Sequence, residues 1–352
     1  MTSRSELFSG TMPVQEKHRF DVAALERYLR AKIDGFTGPA QVTQFKGGQS
    51  NPTFLVSAGG RRFVVRRKPP GNLLPSAHAV DREYRVITAL GATDVPVPRT
   101  YVLCEDDAVI GTAFYVMDYV EGRIFWEATL PGFSPKERAG VYDAMNDAIA
   151  RLHRVDPAAI GLSDYAKPGN YFARQIARWS KQYLASETEP IDAMHRLMDW
   201  LPQHVPSGDE TAVVHGDYRI DNIVFHPSEP KVIALLDWEL STLGHPLADF
   251  AYNCMQWRLA RGLAGVDLPS LGIPSEADYV AAYCRRTGRD RIEHWDFCLA
   301  FNMFRSAAIL QGIAGRVVQG TAASAHAVET ASMARPIAER AWEIVEKLGA
   351  QS

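Results

Sequence analysis

Three short runs rich in Val, Phe and Thr follow one another near the start of the chain: AQVTQF (40–45), PTFLVSA (52–58) and RRFVVRR (61–67). Only KGGQSN and GG separate them, so the segment reads as an antiparallel meander. Strand-like pieces recur at 99–104 (RTYVLC) and 113–120 (AFYVMDYV). From about residue 134 the texture changes. SPKERAGVYDAMNDAIARLHRVDP has a Ser-Pro start and an Asp-Pro end, with Val141, Met145, Ala148, Ile149 and Leu152 on one helical face. Helices are also expected over 22–34, and over 76–91 with Ser76 as cap and Gly91 as stop. The expected architecture is α+β, with a small antiparallel sheet lobe over 1–120 and a larger, mainly helical lobe over 121–352. Such an arrangement leaves a cleft, a favoured place for a ligand.

Composition narrows the function. Of 352 residues 46% are hydrophobic and 22% charged, as in a globular protein, and the formal net charge of −3 gives no reason to expect nucleic-acid binding. The opening MTSRSELFSGTMPVQEKHRF has no apolar core of signal-peptide length. No later stretch is expected to supply the ~20 apolar residues of a membrane span. Cys104, Cys254, Cys284 and Cys298 are scattered without a CxxC pair, which argues against a disulfide framework or a Cys-rich zinc site. A cytoplasmic location is expected.

Inside the helical half, two apolar runs drop into an aspartate: VVHGDYRIDN (213–222) and ALLDWE (234–239). Phosphoryl transfer from a nucleotide needs cations on the phosphates, oxygen ligands for them, and a carboxylate that orients the attacking hydroxyl. Asp217, Asn222 and Asp237 could supply those oxygens, the two aspartates standing at the ends of adjacent short strands.

His215-Gly216-Asp217-Tyr218-Arg219-Ile220-Asp221-Asn222, followed by Leu236-Asp237-Trp238-Glu239, resembles the aminoglycoside phosphotransferase family, whose fold is bilobal and protein-kinase-like. The resemblance implies Asp217 as catalytic base, Asn222 and Asp237 as magnesium ligands, and Asp249 in GHPLADFA as a buried carboxylate bracing the catalytic loop beside His215. It implies ATP and Mg2+ as cofactors. GGQSNPTF, with Gly48, Gln49, Ser50 and Asn51, falls where a phosphate-covering loop belongs. Arg66 is the expected phosphate-pairing cation, although alternation puts Arg66 and Lys68 on one strand face and leaves the choice open, with Arg67 close by. Glu83 is its expected ion-pair partner. Asp118, Tyr119 and Val120 fall at the connection between lobes, where adenine would meet backbone groups.

KPPGNLLPSAHAVDREYRV and PGNYFARQIARWSKQY resemble the subgroup of this family found alone or fused to acyl-CoA dehydrogenase domains. That similarity implies a small hydroxylated acceptor, a hydroxyacyl thioester among the candidates. From Leu240 onward acidic and basic residues are equal in number, which leans against a polycationic antibiotic. In FCLAFNMFRSAAILQGIAGRVVQG, Phe297, Phe301, Phe304, Ala308 and Gln311 form a packing face that Arg305 and Arg316 interrupt. Arg305 is expected to meet an anionic group of the acceptor. A non-catalytic nucleotide binder on this fold is disfavoured because base, Asn and magnesium aspartate are all present. A protein kinase is disfavoured by the missing APE-like segment, and a metal hydrolase by the missing HExxH.

Overall fold

The computed structural model describes residues 9–46, 51–70, 79–167, 169–208, 210–320 and 327–349. Its elements in chain order begin β1 (Thr11–Met12), α1 (Val22–Lys32), β2 (Gln41–Phe45), β3 (Thr53–Ala58), β4 (Arg61–Arg67), α2 (Val80–Leu90), β5 (Thr100–Cys104), α3 (Asp107–Ile110) and β6 (Phe114–Asp118). They continue α4 (Pro135–Arg154), α5 (Tyr171–Ser186), α6 (Asp192–Trp200), β7 (Ala212–Val214), β8 (Ile223–Phe225), β9 (Val232–Leu235) and β10 (Thr242–Gly244). The rest is helical: α7 (Pro246–Cys254), α8 (Leu268–Leu271), α9 (Glu276–Thr287), α10 (Trp295–Val318), α11 (Ala327–Ala331) and α12 (Ala334–Gly349). They form two compact units. The first takes the described residues up to Leu130 together with Ala158–Leu162 and Arg219–Ser241; the second takes the remainder.

The first unit is built on one sheet in the order β1-β2-β3-β4-β6-β5, antiparallel throughout, as the short turns required. Along β3 alternate side chains are buried, and Phe54 and Val56 join Phe63, Val65, Phe114, Val116, Leu25 and Leu29 in a single core. Each such side chain contributes roughly 1.5–3 kcal/mol by leaving water. Helix α2 opens at Val80, with Ala79 before it making no side-chain cap, and the expected cap Ser76 lies outside the described residues. The β8–β9 hairpin belongs to this unit although it lies far along the chain. Arg123 and Phe225 exchange two backbone hydrogen bonds of 2.8 Å, and a Cβ at Gly122 would run into the Phe225 carbonyl, so only glycine permits that approach. The packing division is therefore not a single cut at residue 120.

In the second unit α4 starts with a capping box, Ser134 Oγ accepting from Glu137 N–H while Glu137 returns to the Ser134 N–H. The unit's core includes Val141, Tyr142, Met145 and Ile149 of α4, Phe250 of α7 stacked on Tyr283 of α9, and Phe297, Phe301 and Phe304 of α10. Contrary to the sequence expectation, α10 is long and apolar enough to cross a membrane by length and composition. Its packing explains that: 72% of its apolar window is buried inside the protein. All four cysteines are buried and free.

The two apolar runs that end in aspartate, expected to be adjacent short strands, do not pair with each other. β7, which leads to Asp217, pairs with β10, whereas β9, which leads to Asp237, pairs with β8. Runs of three or four buried residues fix neither partner nor sheet.

Candidate active site

In the first unit a buried cation gathers three carboxylates. Arg66 sits near the end of β4, opposite Thr53 on β3 and Tyr115 on β6. Its Nη2 lies 2.7 Å from Asp237 Oδ1 and 3.1 Å from Glu239 Oε2. Its Nε is 2.8 Å from Glu83 Oε2, at ion-pair distance but off the hydrogen-bond direction. Glu83, on the buried face of α2, also accepts from Asn51 Nδ2 (2.8 Å) and the Tyr115 hydroxyl (3.1 Å). Arg66 is 7% exposed and Glu83 1%. Burial alone would push the guanidinium toward neutrality, but the charges of Glu83 and Asp237 outweigh it and hold its pKa above the usual arginine range. Burial, then the Glu83 charge, raises the Tyr115 phenol well above its ordinary value, so it stays a donor.

The same geometry separates the basic side chains of the strand. Arg67 points the other way, donating to the Ile110 and His18 carbonyls with its guanidinium over the Phe20 and Phe54 rings. Lys68 lies past the end of β4, half-exposed, with Nζ 3.9 Å from Asp81. Of the expected phosphate loop, Gly48, Gln49 and Ser50 lie outside the described residues; Asn51 is fully buried on Glu83. At the end of β6, Asp118 N–H donates to Arg99 O (2.8 Å) and Tyr119 N–H to Arg62 O (3.5 Å); Val120 is the first residue beyond these ties. Tyr119 is covered by the Arg62 guanidinium, 4.4 Å from the ring centre.

Asn222 and Asp237 flank the β8–β9 hairpin. The Leu236 N–H donates to the Asn222 carbonyl (2.9 Å), which sets a carboxamide and a carboxylate at the same end. Asp237 has left-handed backbone (φ 64°, ψ 62°), an uncommon state for a residue with a Cβ and one that concentrates at functional sites.

In the second unit the chain leaves β7 through His215, Gly216 and Asp217, with Gly216 at φ 83°, which favours glycine. Buried Asp249 on α7 accepts from the His215 N–H (2.7 Å) and the Gly216 N–H (2.9 Å). His153 Nε2 approaches the same carboxylate at 3.2 Å, and its Nδ1 is 2.7 Å from the Tyr283 hydroxyl. Burial opposes the Asp249 charge, but the His153 hydrogen bond, with the His153 and His215 rings and the His215 amide, brings its pKa below the ordinary carboxylate value. Asp217 Oδ1 accepts from the Tyr252 hydroxyl at 2.6 Å. Arg305 is 7% exposed, and its Nη2 donates to the Gly216 carbonyl (2.9 Å). Asp217 thus belongs to the second unit, and Asn222 and Asp237 to the first. Sequence reasoning left Glu239, Tyr115 and Tyr252 out of the site. Tyr252 follows Asp249 by three residues on one helix, so helical spacing placed it on the same side.

The phosphotransferase enzyme family profile matches residues 41–298. The chain belongs to this family. A solved Ralstonia eutropha protein, itself provisionally assigned as an aminoglycoside phosphotransferase, is 57% identical, with 94% of this chain and 99% of that one aligned at a TM-score of 0.87. Mouse acyl-CoA dehydrogenase family member 10 is 45% identical over 347 residues, covering 97% of this chain and 32% of the mouse protein. Human family member 11 is 41% identical over 349 residues, or 96% and 45%. The chain spans less than half the length of these curated relatives. Aminoglycoside phosphotransferase APH(4)-Ia, solved with ADP and hygromycin B, is 16% identical at a TM-score of 0.61; it aligns over 91% of this chain and 98% of its own and shares the fold. Family and fold place the chain in the phosphotransferase enzyme family with a kinase-like α+β fold, in the subgroup shared with acyl-CoA dehydrogenase family members 10 and 11.

Proposed function

We propose that this chain is a Mg-ATP-dependent O-phosphotransferase acting on the hydroxyl of a small anionic acceptor, a hydroxyacyl-CoA or hydroxy acid. The observation that carries the reading is that each aspartate the chemistry requires is aimed by a bonded partner, Asp217 by Tyr252 and Asp237 by Arg66. Asp217 is the base that receives the acceptor's proton, and Arg66 steadies the phosphates of the nucleotide. Asn222 and Asp237 would hold Mg2+. A carboxylate and an amide oxygen suit a cation that takes one or two protein ligands and completes its shell with phosphate and water. When bound, Mg2+ supplies charge neutralisation on the transferring phosphoryl group. Adenine would rest on the backbone near Val120.

Two features favour an anionic acceptor. The curated relatives carry acyl-CoA dehydrogenase names, and Arg305 presents a permanent cation beside the loop that bears Asp217. The test is ATP consumption with Mg2+ against hydroxyacyl-CoAs, hydroxy acids, aminoglycosides and sugars, with product mass measured. Transfer to an anionic hydroxyl compound supports the reading. Transfer to aminoglycosides alone overturns the acceptor class and leaves the phosphotransferase.

A further inference from the structure

One helix grips the loop that bears Asp217 at three successive points. From α7, Asp249 accepts from the backbone of His215 and Gly216, Tyr252 donates to the Asp217 carboxylate, and Asn253 Nδ2 donates to the Tyr218 carbonyl (3.3 Å). Residues 249, 252 and 253 are three and four apart, the spacing that puts side chains on one helical face. The helix is itself held by α10, whose Asn302 Nδ2 donates to the Ala248 carbonyl at 2.8 Å. Two of the three grips act on backbone; the Tyr252 grip alone acts on the carboxylate that the proposed reaction uses.

We infer that Tyr252 is a positioning residue for proton transfer: by holding Oδ1 it fixes the plane of the Asp217 carboxylate. This rests on the role proposed above for Asp217. As the acceptor oxygen bonds the γ-phosphorus and the bond from that phosphorus to the ADP oxygen breaks, the hydroxyl proton passes to the Asp217 carboxylate, and the bonding pair leaves with ADP. A carboxylate free to rotate about its Cβ–Cγ bond would present the correct oxygen for only part of the time, and a charged hydrogen bond such as the Tyr252–Asp217 contact is strong enough to prevent that. Nearby, the Arg305 guanidinium lies 5.5 Å from the centre of the Tyr252 ring, so the ring has a packing partner that does not depend on the hydroxyl.

Tyr252→Phe keeps the ring and removes the donor. Its expected signature is a kcat lowered about tenfold, with the KM for ATP unchanged. A merely structural Tyr252 would shift the thermal midpoint and spare kcat. Wild-type kcat in Tyr252→Phe overturns the inference. A second readout needs no turnover: carbodiimide-driven coupling of glycine ethyl ester to the peptide containing Asp217, followed by mass spectrometry. Faster coupling in Tyr252→Phe than in wild type supports the inference, and equal rates overturn it. If the wild type transfers phosphate to no acceptor, the proposed function fails, and the labelling result still decides the Tyr252 contact.

Discussion

Arg66 and Asp237 are 171 residues apart in sequence, yet Nη2 of one lies 2.7 Å from Oδ1 of the other. The contact ties β4 to the end of the β8–β9 hairpin and, through Glu83, to α2. One planar guanidinium serves three carboxylates from two distant stretches of chain.

Breaking that cluster leaves buried charge without a counterion. Arg66→Ala and Glu83→Ala are expected to destabilise the protein by about 3–5 kcal/mol, read as a shift of the denaturation midpoint at constant slope. Arg66→Lys is expected to fall between them and wild type in stability and to raise the KM for ATP, because an ammonium lacks the planar fork that meets several carboxylates.

The two aspartates are expected to fail differently. Asp217→Asn keeps nucleotide binding and lowers turnover by about 10²–10⁴. Asp237→Ala weakens nucleotide binding in the presence of Mg2+ and leaves the Mg2+-free titration little changed. Calorimetric titration with and without the cation separates them; an Asp237→Ala protein that binds and turns over like wild type defeats the assignment.

Arg305→Ala is expected to raise the KM for an anionic acceptor far more than the KM for ATP, as when a ground-state contact to one substrate is removed. Its bond to the Gly216 carbonyl adds a fall in kcat for every acceptor, by about tenfold. Steady-state kinetics with one anionic and one neutral acceptor distinguishes the two effects.

Asp249 makes stability pH-dependent in a defined direction. Its folded pKa is depressed, so its contribution is fully present above the unfolded value of about 3.9 and is lost as pH falls below that toward the folded value. Thermal midpoints are therefore expected to drop more steeply below about pH 4 in wild type than in Asp249→Asn, which has no such charge to lose.

Sequence reading located the meander and the helical half, because each follows from alternation or helical spacing; the Arg66–Glu83 pair and the Asp249 brace were implied by the family resemblance, and both contacts are present. It left Arg66 against Lys68 open; β4 ends at Arg67, and a strand's last paired residue is not encoded in its alternation. It expected the two aspartate-ending runs to be adjacent, since ALL and AVV carry nothing that shows which strand each one pairs with. It missed Tyr252 because a tyrosine on an apolar helix is ordinarily core. It passed over α10 as a candidate span, since Asn302, Arg305 and Arg316 interrupt a run that is apolar on average.

That helix also matters for how the chain survives in a cell. The inner face of α12, with Ile337, Ala338, Ala341, Ile344 and Val345, packs against α10. A chain stopped between residues 320 and 334 would display that flank of α10 bare, and to chaperones and proteases it would look like a stranded membrane segment. Truncations in this stretch, well after Asp217 and Asp237 in sequence, should therefore surface as insoluble or rapidly degraded protein, and their severity is set by proteostasis.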